Sequence, residues 1–275
     1  MKTVLTVFMV LFIISGFAHA QTADDFNDNS MNASLWSLTS SLSPVFDPES
    51  RMTVQETDGV LQFTSQGWDD DQEASAGYVS SYELSLFSDF NFSLEYHYSH
   101  TGSTNYDNAG INAGLIYFDN SGGLNYVMGG PENYTMDDTH LHEDHYSINI
   151  NWFGVETDQT MNRTATDGRL EASYDSSADE LYLAVWENLG ADSASDWQVV
   201  ADDSLTGAKT SGVDAVQLAL VGWSEGGALA EGEAYFDNFS LNCGTVTPEP
   251  LGCSLFALGS IALAVFKRKK MFKKS

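Results

Sequence analysis

Two stretches of this chain alternate strictly between apolar and polar residues, and this pattern constrains the fold more than any other feature. They are FNFSLEYHY at 90–98 and YSININW at 146–152. A period of two residues puts the apolar side chains on one side of an extended strand, as in a half-buried β-strand. The chain is therefore expected to form β-sheets that pack one face on a core.

Further strands are expected along most of the chain. The candidates are 60–64, 77–87, 112–118, 124–128, 169–174, 181–187, 197–201, 215–223 and 233–241. Clusters of turn-forming residues separate them, for example Asp58-Gly59 and Gly122-Gly123. No helical pattern of useful length occurs between residues 21 and 247. Many short strands without helices predict an all-β sandwich or barrel.

The first twenty residues have the pattern of a secretory signal peptide. Lys2 gives a positive start, 4–17 is nearly all apolar, and Ala18-His19-Ala20 ends the stretch with small residues two apart. This order predicts cleavage by signal peptidase after Ala20. The alternative is a first transmembrane helix, for which the apolar stretch is short.

The last thirty residues have three parts. Pro248-Glu249-Pro250 interrupts any helix, because proline fixes φ and lacks a hydrogen-bond donor. The uncharged stretch 251–266 is predicted to be a transmembrane helix, since about 17–25 apolar residues span a bilayer. The sequence KRKKMFKKS follows, and such basic tails stay cytoplasmic. The bulk of the chain is then exported across the inner membrane. A plain C-terminal anchor is the alternative.

This three-part order resembles the PEP-CTERM sorting signal over residues 246–275. The resemblance implies that an exosortase, a membrane protease, recognises the region of Pro248, Glu249 and Pro250 and removes the tail. It also implies a Gram-negative bacterium that makes exopolysaccharide or biofilm, with the protein in the cell envelope, on the surface or in the extracellular matrix. The chain is accordingly divided into a signal peptide (1–20), a β-sandwich domain (21–245) and the sorting signal (246–275).

The exported part is strongly acidic. Residues 21–247 contain four of the chain's 11 basic residues and 38 of its 39 acidic ones, so their net charge is −34, against −28 for the whole chain. Such a surface repels phosphate backbones, which excludes nucleic acid as a partner. Divalent cations would relieve the repulsion where carboxylates converge. An adaptation of solubility to salty water explains the acidity equally well.

The order of segments between 24 and 241 resembles the concanavalin A-like lectin/glucanase jelly roll. DDFNDNSMNASLWS opens the domain, followed by DGVLQF, LYLAVWENLG, VQLALVGW and finally YFDNFSL. The resemblance implies a two-sheet sandwich and suggests carbohydrate as the ligand. Glucanases of this fold carry E-x-D-x-x-E on one strand, because hydrolysis needs two carboxyls at a set separation. Glu56-Thr57-Asp58 and Glu156-Thr157-Asp158 both lack the second Glu.

A histidine-rich segment is a candidate metal-binding site. His140-Leu-His142-Glu-Asp144-His145 matches the H-x-H-x-D-H metal motif of metallo-β-lactamase-like hydrolases, and imidazoles suit transition metals. That family needs a further histidine, and none follows His145. Two alternatives remain: an exposed loop that binds Zn²⁺ or Cu²⁺, and a polar loop with hydrated histidines.

Acidic clusters at the two ends of the domain predict a site for a hard cation, most simply Ca²⁺. Asp25 and Asn27 lie near its start and Asp237 near its end. The resemblance implies that the first and last strands lie side by side, which would bring these oxygens together. The segments 68–71 and 137–138 are alternatives. A solvated acidic surface explains the same residues without a metal.

A sugar-binding surface is predicted from the strand LYLAVWE at 181–187. If its leucines face the core, Tyr182 and Trp186 share the opposite face, about 13 Å apart along the strand. Asn149 and Asn151 would add hydrogen bonds if their strand lies in the same sheet. Burial of both rings in a core is the alternative.

Together these features predict an exported, non-catalytic protein that binds polysaccharide. Two other functions stay open, a divergent glycoside hydrolase and a purely structural matrix protein.

Overall fold

The computed structural model describes residues 21–24, 26, 28–39, 51–67, 73–101, 107–120, 122–136, 141–188, 197–243 and 246–247. The predicted signal peptide, the Pro248–Pro250 motif and the tail 251–275 lie outside these residues. Within the described ranges, no helix has the length and apolar character needed to cross a membrane.

Seventeen β-strands make up the regular structure of the described residues. They are β1 (Gln21–Asp24), β2 (Trp36–Thr39), β3 (Met52–Thr57), β4 (Val60–Ser65), β5 (Glu73–Ser80), β6 (Glu83–Ser85), β7 (Phe90–Tyr98), β8 (Asn108–Phe118), β9 (Leu124–Met136), β10 (Leu141–Trp152), β11 (Val155–Asn162), β12 (Asp167–Asp175), β13 (Glu180–Asn188), β14 (Trp197–Thr206), β15 (Ala215–Glu225), β16 (Ala234–Cys243) and β17 (Val246–Thr247).

The strands form two antiparallel sheets. Sheet I has the order β14-β13-β12-β7-β16-β4-β3, and β1 also pairs with β16. Sheet II has the order β11-β10-β9-β8-β15-β5-β2, extended by β6 on β15 and β17 on β6. One continuous core lies between the sheets, with the aromatic rings of Tyr98, Tyr146, Trp152 and Phe236 fully buried. The fold is an all-β sandwich of two antiparallel sheets, as predicted.

The alternating stretches behave as their pattern predicts. In β7, every second residue from Phe90 to Tyr98 is buried and the others are partly or fully exposed. In β10, Tyr146, Ile148, Ile150 and Trp152 all belong to the core. The apolar half of each strand therefore supplies the interior, because burial removes apolar surface from water.

Two strand predictions are corrected by the structure. Strand β9 does not end at Met128 but continues through Gly129-Gly130-Pro131, which reads as a turn in the sequence. Pro131 pairs with Tyr146 on β10, and the paired residues of β8 and β9 are interrupted beside it, as expected for a residue without an N–H. The predicted strand 77–87 is two strands, β5 and β6, which pair with different parts of β15.

Strand β11 was missed because it has no apolar alternation. All eight of its residues are exposed, and it forms the edge of sheet II. A two-residue turn, Phe153-Gly154, joins it to β10, and both residues have positive φ angles of 47° and 86°. Tight hairpin turns require this backbone, and residue pairs such as Asn-Gly usually provide it.

Candidate functional site

The outer face of sheet I carries the two predicted aromatic residues. In β13, Leu181, Leu183 and Val185 are buried in the core. Tyr182 and Trp186 alternate with them and are partly exposed on the opposite face. The geometry therefore matches the predicted shared face and not burial of both rings in the core.

A second tryptophan and an arginine complete this face. The guanidinium of Arg169 lies 5.0 Å from the ring centre of Trp186 and 4.6 Å from that of Trp197. Its Nε lies 2.9 Å from a carboxylate oxygen of Glu171. Cation–π contacts of this kind hold the rings and the charge together. We call Tyr182, Trp186, Trp197 and Arg169 the aromatic face; the guanidinium fixes its two indoles and covers part of each.

Strand register brings these residues together. Arg169 on β12 lies directly opposite Trp186 on β13. On the other side a β-bulge shifts the register of β14 between Val185 and Trp186, so that Trp197 lies opposite Asn188. Cross-strand neighbours on one face lie within contact distance of long side chains. Sequence reasoning missed Arg169 and Trp197, although both begin predicted strands, because register is not visible in a single sequence.

Tyr182 occupies the polar end of the aromatic face. Burial raises the pKa of its hydroxyl above the usual value, and the neighbouring Asp202 raises it further by charge and by accepting a hydrogen bond. The Tyr182 hydroxyl is thus held as a donor to a carboxylate. Asp202 and Glu171 flank Ala184, which lies between the two rings on this face, and their carboxylate oxygens can accept hydrogen bonds from hydroxyl groups.

Asn149 and Asn151 do not belong to this face. They lie on β10 in sheet II, whereas Tyr182 and Trp186 lie in sheet I. Both asparagines alternate with buried Ile148 and Ile150, so they point away from the core on the outer side of sheet II. The condition under which the asparagines were expected to join the two rings is therefore not met, because the two strands are in different sheets.

The histidine-rich segment is not a loop from Leu141 onward. His140 and the side chain of His142 lie outside the part of the chain that the structure describes. His145 is buried in β10, with Nε2 2.9 Å from Glu132 and Nδ1 3.1 Å from the carbonyl of Glu143. Burial lowers the pKa of His145, but the Glu132 contact outweighs this and the net direction is upward. Both ring nitrogens already have partners, so His145 is neither a hydrated loop histidine nor a free metal ligand.

The predicted cation site is only partly described. The first strand and the last long strand do lie side by side, since β1 pairs with β16. Asp25 and Asn27 lie outside the described residues. Asp237 accepts a hydrogen bond from the backbone of Asn238 at 2.7 Å and lies opposite Glu95. No group of three or more His, Cys, Asp or Glu side chains in the described part of the chain is arranged to hold a metal ion.

A buried carboxylate fixes the connection between the two sheets. Glu187 on β13 is 2% exposed and accepts hydrogen bonds from the backbone of Thr164 (2.5 Å) and Ala165 (2.9 Å) and from the Thr164 hydroxyl (2.7 Å). Burial alone would raise the pKa of Glu187. The hydrogen bonds from Thr164, Tyr146 and Ala165 outweigh the effect of burial and hold the pKa of Glu187 below its ordinary value. Glu187 therefore fastens the segment between β11 and β12.

A cavity of about 290 Å³ lies beside this carboxylate, where the edge strands β11 and β14 approach each other. It is lined by Met161, Asn162, Thr164, Glu187, Gln198, Val199 and Val200. Glu187 is the one carboxylate in this lining, and its oxygens already accept internal hydrogen bonds. The cavity thus lacks the two carboxyls of a glycoside hydrolase.

Comparisons with known proteins identify the fold. The acidic lectin of winged bean in complex with methyl-α-D-galactose is 12% identical, with 82% of this chain and 98% of that chain covered and a TM-score of 0.50. Lectin I of Ulex europaeus in complex with the methyl glycoside of α-L-fucose is 13% identical, covering 81% and 98%, with a TM-score of 0.51. The CBM2 module of the evolved Dit of Lactobacillus casei BL23 phage J-1 is 9% identical, covering 80% and 96%, with a TM-score of 0.53. No family model and no curated protein matches the sequence.

Proposed function

We propose that the domain binds polysaccharide through the aromatic face of sheet I and does not cleave it. The observation that carries this proposal is the pair of partly exposed indoles, Trp186 and Trp197, braced by Arg169 on an outer sheet surface. Aromatic rings provide large apolar surfaces with little conformational freedom to lose, and these suit the apolar faces of sugar rings. The jelly-roll fold supports the proposal, since lectins of this fold are known in complex with sugars.

Charge favours a neutral ligand. The aromatic face is bordered by Asp202 and Glu171, and residues 21–247 carry a net charge of −34. Carboxylates bind hydroxyl groups by accepting hydrogen bonds, but they repel other carboxylates. The single cation of the face, Arg169, is already paired with Glu171. The proposed ligand is therefore a neutral polysaccharide.

Affinity electrophoresis of the purified domain tests this function. We expect its migration to slow in gels that contain a neutral polysaccharide, and to slow much less at low ionic strength in gels that contain a uronic acid polymer. Raising the salt concentration should reduce this difference, because salt screens the repulsion. Unchanged migration in every gel would contradict binding. Release of reducing sugar would favour the alternative of a divergent glycoside hydrolase.

We also propose that the domain is exported and sorted at its C-terminus. The proposal rests on the sequence pattern of residues 1–20 and 246–275. Signal peptidase would act after Ala20, and an exosortase of a Gram-negative inner membrane would act near Pro248, Glu249 and Pro250 while 251–266 spans the bilayer. The mature protein would stay in the envelope, on the cell surface or in the biofilm matrix. Val246–Thr247 still pair with β6, so the folded domain continues up to the residue before the motif.

Deletion of residues 248–275 tests the sorting role and leaves β17 intact. We expect the shortened protein to appear free in the culture medium, because it lacks the membrane segment and the motif. Immunoblots of medium and envelope fractions measure the distribution. Substitution of both Pro248 and Pro250 by alanine is the matched variant, and it should leave an unprocessed, longer protein in the membrane. Unchanged retention after the deletion would remove the sorting role.

Calcium binding at Asp25, Asn27 and Asp237 is part of the same proposal, and the β1–β16 pairing supports it. We expect the melting temperature to rise with NaCl and to rise further with CaCl₂ at matched ionic strength. A ligand of the folded state alone stabilises it by about 2.7 kcal/mol at a hundred times its Kd. Asp237→Asn should abolish the extra effect of calcium and keep the effect of salt. Equal melting temperatures in the two salts would show screening without a site.

A further inference from the structure

Sheet II carries an apolar cluster on its outer face, apart from the core between the sheets. In β15 the core takes Leu218 and Leu220, so the alternating residues Ala219 and Val221 point outward. Together with outward-facing residues of neighbouring strands they form a separate cluster, in which four side chains are at most 8% exposed. We call this cluster the outer patch: Val79, Ile116, Ala219 and Val221, with the partly buried Leu124, Tyr126 and Met128 packed against them.

The outer patch is built from one layer of the protein. All seven of its side chains belong to β5, β15, β8 and β9, which are successive neighbours in sheet II. Among the described residues, no buried or partly buried apolar side chain from another layer packs on it. Contiguous apolar groups on the outside of a domain usually mark a contact surface, since contact removes them from water. The patch is therefore expected to bind a partner that has an apolar surface of its own.

Strand pairing aims the C-terminal segment at this patch. In β17, Val246 lies opposite Leu84 of β6, and Leu84 lies opposite Val216 of β15. Both pairings are antiparallel, so β17 runs in the same direction as β15, from the level of Val216 toward Ala219. Strand β2 pairs with β5 farther along the same edge, so the chain beyond β17 has to leave the plane of the sheet.

The chain after Thr247 is long enough to reach the patch and to cross it. Thr247 lies two strands and two residues from Ala219, roughly 12 Å at about 4.8 Å per strand and 3.3 Å per residue. The four steps from Thr247 to Leu251 span up to about 14 Å in an extended chain. The uncharged segment 251–266 would be about 24 Å long as a helix. The patch spans four strands, about 14 Å, so such a helix covers it and continues toward β11.

Charge favours the same occupant. Six basic residues follow the apolar segment at 267–275, whereas residues 21–247 carry a net charge of −34. A helix that starts at the β17 edge and crosses the patch ends near the opposite edge of sheet II, where β11 exposes Glu156 and Asp158. These carboxylates pair with the outward-facing positions of β10, so they lie on the outer side of the sheet. An anionic membrane surface or the acidic domain of a second copy would instead be repelled.

We propose that the outer patch is the docking surface for this chain's own segment 251–275. The apolar part, 251–266, packs on the patch, and the basic part lies along β11. This contact goes beyond polysaccharide binding and does not depend on it, since the aromatic face is on the other sheet. Docking and membrane insertion compete for the same apolar residues. The domain therefore covers its own apolar outer face until the segment inserts into a bilayer or is cleaved off.

A native thiol makes the docking testable by cross-linking. Cys253 lies near the start of the apolar segment, and Cys243 is buried in the core. In the chain 21–275, Val79→Cys places a thiol in the patch, and Ser93→Cys places one on the outer face of sheet I as the matched control. Mild oxidation should join the introduced thiol to Cys253 at least about fivefold more in the first variant, because a disulfide requires Cα atoms within about 7 Å. Non-reducing gels and peptide mass spectrometry measure the yield.

The yield should not depend on protein concentration, because the contact lies within one chain. Neutral lipid vesicles should lower it, because they compete for the apolar segment. Disulfides that join two chains would assign the patch to a second copy and overturn the proposal. Equal yields for the patch variant and the sheet I control would overturn it as well, and so would a yield that vesicles leave unchanged.

Charge reversal at β11 tests the basic half of the contact. Glu156→Lys with Asp158→Lys, added to Val79→Cys, should lower the yield about two- to fivefold, since exposed ion pairs contribute modestly. Glu180→Lys with Glu231→Lys is the charge-matched control at two exposed residues away from β11, and it should leave the yield unchanged. Equal yields for the two double variants would contradict the placement of the basic part along β11.

Discussion

Replacing Glu187 with alanine is expected to lower the free energy of unfolding by about 1.5–3 kcal/mol, the contribution of hydrogen bonds made to a charged group. The change would leave three donors without their present acceptor, the backbone N–H groups of Thr164 and Ala165 and the hydroxyl of Thr164. These donors belong to the segment that carries the chain from sheet II to sheet I. Loss of their hydrogen bonds to Glu187 would therefore loosen the connection between the two sheets. Urea unfolding at pH 7, followed by tryptophan fluorescence, measures the effect.

The variant Glu187→Gln provides the control and gives a pH signature. The pKa of Glu187 is lowered in the folded protein, so its contribution to stability is complete above the unfolded pKa of about 4.3 and is lost as pH falls through the lower folded value. Glutamine keeps the shape but has no such titration. We expect the parent protein to lose the stability contributed by ionised Glu187 as the pH falls. The glutamine variant should not show this decrease. A cost below about 1 kcal/mol for Glu187→Ala would contradict the network.

The sheets were predictable where one face of a strand is apolar. Strands β7, β10 and β13 each bury one half of an alternating pattern, and the hydrophobic effect alone decides their orientation. The same alternation places residue 187 on the inner side after Leu181, Leu183 and Val185. The alternation therefore predicts the inward position of Glu187, but it does not predict which groups donate hydrogen bonds to its carboxylate.

Strands without such a pattern could not be predicted. The edge strand β11 is exposed on both faces, so no alternation of apolar and polar residues marks it. Strand β9 continues through Pro131 because its other neighbour, β10, pairs there without needing the missing N–H. In both cases the neighbouring strand, and not the local sequence, determines the structure. Pairing between strands distant in sequence is not visible in one chain without relatives.

The candidate site was predicted in part for the same reason. Alternation within β13 was enough to place Tyr182 and Trp186 on one outer face. The contacts of Trp186 with Arg169 and Trp197 depend on the registers of β12, β13 and β14, including a bulge. Assignment of Asn149 and Asn151 to the other sheet depends on topology, because each sheet combines strands from several parts of the chain.

The second large effect is expected from the double variant Tyr182→Ala, Trp186→Ala. Loss of two stacking rings should increase the dissociation constant for a neutral polysaccharide about tenfold or more. Stability should change much less. Trp186 is partly exposed and its stack with Arg169 contributes about 1 kcal/mol, whereas a core tryptophan replaced by alanine costs about 3–5 kcal/mol. Tyr134→Ala, at an exposed tyrosine on β9, is the matched control and should bind like the parent.

Affinity electrophoresis in gels of neutral polysaccharide, with thermal melts of the same samples, tests the central claim most directly. The account predicts that the parent and Tyr134→Ala are retarded alike, and that the double variant migrates freely while its melting temperature falls by only about 2–4 °C. Retardation of the double variant equal to that of the parent would contradict binding by the aromatic face. A fall in melting temperature typical of a core substitution would likewise contradict it, because both rings would then be structural.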